Sequence, residues 1–501
     1  MKIRTVIALG LCCFTLPALG GCFDAGASAE ANEDEAESEG TGDSDGVDAD
    51  SDDDDDGEPM IPAGQARLRV VHSSPDAGPV DVYVAGTETP AIANLAYGES
   101  TEYLDLDEGD YAFEVRRAGA SPFGEPVFAT EPLTLSEGAT VTALAAGSVE
   151  ATDPAAAFRV LPLVEDFTDS EPGHARIRVI HAGADAPAVD LDLGDDDSIE
   201  LAGLARFADS GEAGISVPAG ESLQVGVIAD GERVTAFTTP ALPEGAQLLV
   251  IATGLLGRLP READGFSLLA VFPEAPYGFI RQNPIVYTLH ASPDGPEVDV
   301  CAGNEAWANH ITFGTLEGRQ VRPGAYTLDI YTAPSGCAGA AVVSDDTPEL
   351  EAGERYMVVA TGEVEDGSDE PPLQLVTYRE RFSLDAGDDA VLRLVHAASA
   401  PEVDVGVVTD DVIAEGNLLA QGLKWPEQSE EIEVTPLTYP VGVAAAGTEH
   451  PLATFHIPAE VGARTFVVAA GDLSPEGQEV PFRLLGVDTT REPWTVATIA
   501  D

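Results

Sequence analysis

Four histidines recur along this 501-residue chain, and each is followed closely by an aspartate in the same local setting. The first pair is His72, ending Arg67-Leu-Arg-Val-Val-His72, with Asp81 in Val80-Asp81-Val82. The second is His181, ending Arg176-Ile-Arg-Val-Ile-His181, with Asp190 in Val189-Asp190-Leu191. The third is His290 with Asp299, between Val298 and Val300, and the fourth His396 with Asp404, between Val403 and Val405. Imidazole and carboxylate are two thirds of a hydrolytic triad, and the missing member is a nucleophile in reach of the base. The residues after the four histidines are Ser73-Ser74, Ala182-Gly183, Ala291-Ser292 and Ala397-Ala398, so no hydroxyl position is kept among the copies. That comparison argues against catalysis. It favours histidines whose ring N–H bonds a loop carbonyl or acid.

The elements that position these residues read as short strands. Each histidine falls in period-2 phase with apolar residues two and four places earlier, such as Val70 and Leu68, which turns the ring inward at a strand end. Each aspartate is out of phase with the core residues that flank it. The steps from one histidine to the next are 109, 109 and 106 residues, one small domain apiece. Turns at Glu108-Gly109, Ala219-Gly220 and Pro323-Gly324 precede further alternating runs. A later set at Glu137-Gly138, Glu244-Gly245, Ala352-Gly353 and Val461-Gly462 precedes strands ending in Ala-Gly or Thr-Gly. No stretch beyond the leader has sustained helical periodicity, so the fold class is all-β: four tandem antiparallel β-sandwiches of immunoglobulin-like type. The expected sandwiches span 65–168, 174–276, 283–382 and 390–492. Short acidic connectors, Glu165 to Gly173 and Asp385 to Asp389, leave limited bending between sandwiches in series.

The His-x-Ser/Ala-x-x-x-Pro-x-Val-Asp-Val stretch resembles the domain of unknown function 4397 family of secreted and surface proteins of bacteria. The resemblance runs from Arg67 to about Asp488. Unit four departs from it, with one residue fewer between His396 and Asp404 and with Thr435-Pro436-Leu437 in place of the glycine turn. The resemblance implies an extracytoplasmic β-domain and no assigned chemistry.

The N-terminus sets the compartment. Lys2 and Arg4 precede an apolar run from Val6 to about Leu19, the length of a signal h-region. It ends in Leu19-Gly20-Gly21-Cys22, which resembles the bacterial lipobox. Residues 1–21 then form a lipoprotein signal peptide, and Cys22 becomes the acylated first mature residue, a membrane partner through its lipid. Ordinary secretion with cleavage after Ala27-Ser28-Ala29 is the alternative. Residues 22–64 form an acidic tether with the runs Glu33-Asp34-Glu35 and Asp52 to Asp56, too poor in apolar side chains to fold.

Composition narrows the partners. With 24 Lys+Arg against 89 Asp+Glu, the formal net charge is -65, which repels phosphate backbones and argues against nucleic acid. Five cysteines are too few for a disulfide-dense scaffold. Cys12 and Cys13 leave with the signal and Cys22 is the anchor, so Cys301 and Cys337 remain, an even pair suited to a disulfide in an oxidising compartment. His174, His310, His450 and His456 lack transition-metal spacing. Calcium is kept open by acidic loops at Asp195-Asp196-Asp197, Asp345-Asp346 and Asp385 with Asp388-Asp389. Tyr83, Trp307 and Trp425 are candidates for stacking on sugar rings if exposed. The leading reading is a non-catalytic, lipid-anchored envelope or cell-surface protein that displays its domains structurally or adhesively. The alternatives are a calcium- or carbohydrate-binding module array and an extracytoplasmic hydrolase.

Overall fold

The structure, a computed structural model, describes residues 61–500 apart from 195, 197, 274–276, 365–370 and 474–479. The expected signal peptide, Cys22 and the tether as far as residue 60 therefore lie outside the described residues. Among those described, every regular element is a β-strand. The fold is all-β.

One arrangement of two facing sheets occurs four times. In unit 1 the first sheet has the order Arg159–Val164, Thr140–Ala146, Gln65–His72, Leu104–Asp107, and the second has Ile92–Leu95, Val80–Val84, Phe113–Arg117, Phe128–Ala129. Units 2, 3 and 4 repeat this order around the histidine strands His174–His181, Ile285–His290 and Ala390–His396, and around the aspartate strands Val189–Leu193, Val298–Ala302 and Val403–Thr409. The inner faces supply an apolar core in each unit, for example Leu68, Val70, Val80, Val82 and Phe113 in unit 1. Each sandwich thus closes as its alternating strands require.

Two expectations are corrected. The sheets are not wholly antiparallel, because every histidine strand pairs in parallel with the strand that ends in Ala-Gly or Thr-Gly: Thr140–Ala146, Gln247–Thr253, Arg355–Thr361 and Arg464–Ala470. Parallel neighbours need a long crossover, and here the whole second sheet lies between them in sequence. The even-numbered units also run past the expected ends at 276 and 492. Tyr277–Ile280 and Thr495–Ile499 each add a fifth strand to the first sheet.

The sandwiches are not separate beads. The outer face of a first sheet would carry Val71, Leu144 and Leu163 in unit 1 and Ile180, Ile251, Leu269 and Val271 in unit 2, and these side chains form one shared buried cluster. A second cluster joins Leu289, Met357 and Val359 of unit 3 to Val395, Phe466, Val468 and Leu485 of unit 4. Units 1 and 2, and likewise units 3 and 4, are therefore four-sheet stacks. Equivalent positions meet across each stack: His72 and His181 are preceded by Val71 and Ile180, and His290 and His396 by Leu289 and Val395. Polar contacts are exchanged in the same way. Arg69 Nη1 donates to Phe272 O of unit 2 at 2.5 Å, while its counterpart Arg178 donates to Val164 O of unit 1 at 2.5 Å. Arg69 is only 1% exposed, and its charge is met by Glu165 at 2.9 Å.

Continuous burial along the histidine strands follows from this stacking, since both faces of the first sheet are covered. Leu144→Ala should lower unfolding free energy by about 2–5 kcal/mol, the usual cost of emptying a buried leucine site. Val234→Ala, at an exposed strand position, should change it by less than about 0.5 kcal/mol. Urea denaturation of the two variants distinguishes these outcomes.

Candidate functional site

The repeated imidazoles lie at the ends of their strands, each at most 1% exposed. In every copy Nε2 faces a backbone carbonyl five or six residues on: Gly78 O at 2.9 Å, Pro187 O at 2.7 Å, Pro296 O at 3.0 Å and Pro401 O at 3.0 Å. A carbonyl only accepts, so Nε2 carries the proton and Nδ1 the lone pair. The contact holds the loop that leads from the first sheet to the second. Burial pushes all four pKa values down, against the opposing pull of these carbonyls. The nearby hydroxyls are directed elsewhere: Ser73 Oγ donates to Ala145 O at 2.9 Å, and Ser74 Oγ to Asp76 at 3.3 Å.

The motif aspartates face away from the core, yet Asp81, Asp299 and Asp404 are buried. Pairing slips by one residue at this point of every aspartate strand, at Val80/Val82, Val189/Leu191, Val298/Val300 and Val403/Val405. The residue opposite each slip adopts a left-handed conformation: Asn94, Gly203, His310 and Gly422. Its N–H is turned out of the ladder and donates to the aspartate, at 2.8 Å in Asp81, 2.6 Å in Asp190, 2.9 Å in Asp299 and 2.7 Å in Asp404. The second carboxylate oxygen takes an N–H from the loop after the strand paired on its other side, Gly119 at 2.9 Å, Ser335 at 2.7 Å and Gly447 at 2.7 Å. One side chain thereby fixes a bulge and a loop. Burial opposes ionisation of Asp299, but the donors of His310 and Ser335 outweigh it and hold its carboxyl below the usual range.

A third repeated acid was not singled out from the sequence. Four residues after the histidine stand Asp76, Asp185 and Asp294, which accept from Val149 N at 3.0 Å, Leu256 N at 3.0 Å and Val364 N at 2.9 Å. These carboxylates join the histidine loop to the loop after the parallel strand. Unit 4 has Ala400 at this place, and Ser399 N donates to Gly471 O at 3.0 Å instead. The aligned copies carried the signal, obscured by the shorter fourth loop.

Cys301 and Cys337 are joined as a disulfide. Cys301 sits two residues after Asp299, on the same outer face, and packs with Tyr331 beneath the loop that holds Cys337. Tyr83 takes that position in unit 1, where Arg116 lies 5.7 Å from its ring and donates to Gly124 O of the covering loop. The two units fasten the same loop by different chemistry.

The ligand-binding candidates do not gather into a site. Tyr83 and Trp307, at 4% and 3% exposure, offer no face to a sugar. Trp425 is half-buried and donates Nε1–H to Thr361 Oγ1 at 3.0 Å across the unit 3–unit 4 contact. Asp345 accepts Leu375 N at 2.7 Å and Asp346 accepts Thr327 Oγ1 at 2.7 Å. Asp196 accepts Ser198 N at 3.1 Å, and Asp195 and Asp197 lie outside the described residues. Among the described residues, no three His, Cys, Asp or Glu side chains are placed to hold a metal ion. The apolar cavity between the sheets of unit 2 has about 60 Å³ and is lined by side chains such as Ile177, Val225 and Phe266.

Fold and motif together define a class: tandem β-sandwiches whose repeated imidazole and carboxylate groups serve as loop fasteners. Residues 66–192 and 285–406 match the model of the family described as Domain of unknown function (DUF4397), and these two regions carry the histidine and aspartate motifs. Each match runs through an odd-numbered unit and stops just past the motif aspartate of the next, Asp190 or Asp404. No curated protein matches the chain. Among solved structures, the chain is similar to a candidate cell adhesion protein from Bacteroides uniformis, with 11% identity, 42% of this chain and 100% of that chain covered, and a TM-score of 0.15. It is also similar to the Bacillus anthracis TIE protein, with 9% identity, 78% and 65% covered, and a TM-score of 0.13. The multi-modular glycogen-degrading pneumococcal virulence factor SpuA gives 10% identity, 78% and 37% covered, and a TM-score of 0.14. At these TM-scores none carries an argument about function.

The fasteners have measurable consequences. The four buried imidazoles resist protonation in the fold, whereas in the unfolded chain they titrate near their ordinary value of about 6.5. Stability should hold above that pH and fall as pH is lowered through it, because the unfolded state takes up protons that the folded state refuses. Urea midpoints measured from pH 8 to pH 5 check the sign, and a rise on acidification would contradict it. Reducing the disulfide, or replacing Cys301 and Cys337 by Ser, should destabilise unit 3 by about 3–4 kcal/mol in the chain-entropy account. Denaturation with and without reductant measures the difference.

Proposed function

We propose that this protein is a non-catalytic, lipid-anchored component of the cell envelope or cell surface, built from four DUF4397-type sandwiches of immunoglobulin-like kind. Its role is structural or adhesive display, with Cys22 acylated and residues 22–64 serving as the tether. One observation carries the reading: the histidine and aspartate of each unit are bonded to backbone groups of their own unit. A general base engaged in this way in four copies has a mechanical task. Repetition itself multiplies weak contacts through effective concentration, which suits display better than turnover.

Two measurements test the proposal. A Cys22→Ser variant should leave the membrane fraction of cells and appear in the soluble extracytoplasmic fraction, and unchanged partitioning would remove the anchor from the account. The melting temperature of the chain from Cys22 onward should be the same with calcium, chelator or a glycan panel. A ligand-specific rise would assign a binding-module function instead.

A further inference from the structure

We propose that the two-unit stack, rather than the single sandwich, is the element that transmits tension along the chain, and that the fifth strand makes it so. The strand registers define two ends for each unit: a leading end where the histidine strand begins, and a histidine end where it stops. In unit 1 the last strand, Arg159–Val164, finishes with Val164 opposite Val141, which is itself the partner of Leu68. Both chain ends of unit 1 therefore emerge at its leading end. Tension drawn between them would peel strands apart one hydrogen bond at a time.

Unit 2 would do the same if it stopped at Val271, opposite Leu249 near the start of its parallel strand. Tyr277–Ile280 reverses the exit. It runs back along Ser267–Val271 and sets Ile280 opposite Leu268, whose partner Ala252 lies beside His181. The chain leaves unit 2 at the histidine end. Unit 4 repeats this with Thr495–Ile499, where Ile499 lies opposite Leu484.

Within a stack, like ends meet. At the histidine end Thr253 Oγ1 donates to Ser73 O at 2.7 Å, and in the other stack Thr361 Oγ1 donates to Ala397 O at 2.8 Å. At the leading end are the two exchanged arginine bonds, from Arg69 and Arg178. Tension thus enters the first stack through Gln65–His72 at one end and leaves through Tyr277–Ile280 at the other. Each strand is pulled along its own axis, so its hydrogen bonds are strained together. Force crosses between the units through the apolar cluster of Val71, Leu144, Ile180 and Ile251. The contact from one stack to the next is polar instead: Gly353 N donates to Gln282 O at 2.6 Å, and Arg261 Nη2 to Phe382 O at 2.8 Å. The stacks are therefore separate elements in series.

This deepens the display reading and rests on it only for the source of the tension. Single-molecule pulling of the chain from Cys22 to Asp501, held by its two ends, tests it. At ~0.36 nm per residue, unfolding stack by stack gives two steps: roughly 70–80 nm from the first stack and roughly 60 nm from the second, where the Cys301–Cys337 disulfide keeps its loop closed. Four separate steps, roughly 35 nm each and shorter for the cross-linked unit 3, would overturn the proposal. A second geometry needs no disruption of the core. A handle at the exposed Pro273, two residues past Val271 and introduced as Pro273→Cys, pulls the first stack from its leading end alone. Its unfolding force should drop several-fold, and an unchanged force also overturns the proposal. A failure of the display reading, seen as lost membrane association or ligand binding, leaves both results untouched.

Discussion

The apolar contact between the first sheets of neighbouring units is the constraint on which the rest depends. A chain of formal charge -65 has every electrostatic reason to keep its domains apart. What holds them is the removal from water of side chains such as Leu144, Leu249 and Ile251, each buried completely and each worth about 1.5–3 kcal/mol when fully buried. The contact tolerates very little charge. Where ions are present they are matched, as with Arg69 among Glu165, Thr142 and Tyr103. A carboxylate left unmatched there would lose its hydration without compensation.

The motif residues are consequences of covering both faces of a sheet. A bulge or a sharp loop that is exposed can leave its N–H groups to water, but here loops fold over the outer face of the second sheet. The turned-out N–H groups must then find partners within the protein. An aspartate supplies two oxygens on a short stem, which suits one bulge donor and one loop donor. The histidine does the complementary work, giving an N–H to a carbonyl that the loop leaves unpaired. Acid and base stand in the same motif because backbone donors and acceptors both need partners.

Strand positions were largely legible in the sequence because alternation and glycine turns are local signals. The histidine and aspartate strands fall at the expected places in all four units. Stacking was also written there, but in the phase that was passed over: Val70-Val71, Val179-Ile180 and Leu144-Ala145-Ala146 are continuous apolar runs, and such runs mark strands covered on both sides. The parallel pairing was not legible, because period-2 patterning is the same in either direction. Nor were the fifth strands, since Tyr277–Ile280 is short and lies next to what reads as a linker. The burial of Tyr83 depends on a loop whose course no local pattern gives, whereas Trp307 is a strand residue inside the apolar core of unit 3. Asp76, Asp185 and Asp294 were in plain view once the copies were aligned, and the short loop of unit 4 hid their common spacing.

The reversed exit in the even-numbered units has a bearing on how such chains change length. A single added sandwich would leave its outer apolar face wet and would return the polypeptide to the side from which it came. Growth or shortening by twos preserves both the dry seam and the direction of travel. Duplication events that span a whole couplet are thus the ones whose products fold cleanly, and lengths counted in odd numbers of sandwiches should be purged unless another surface takes over the missing half.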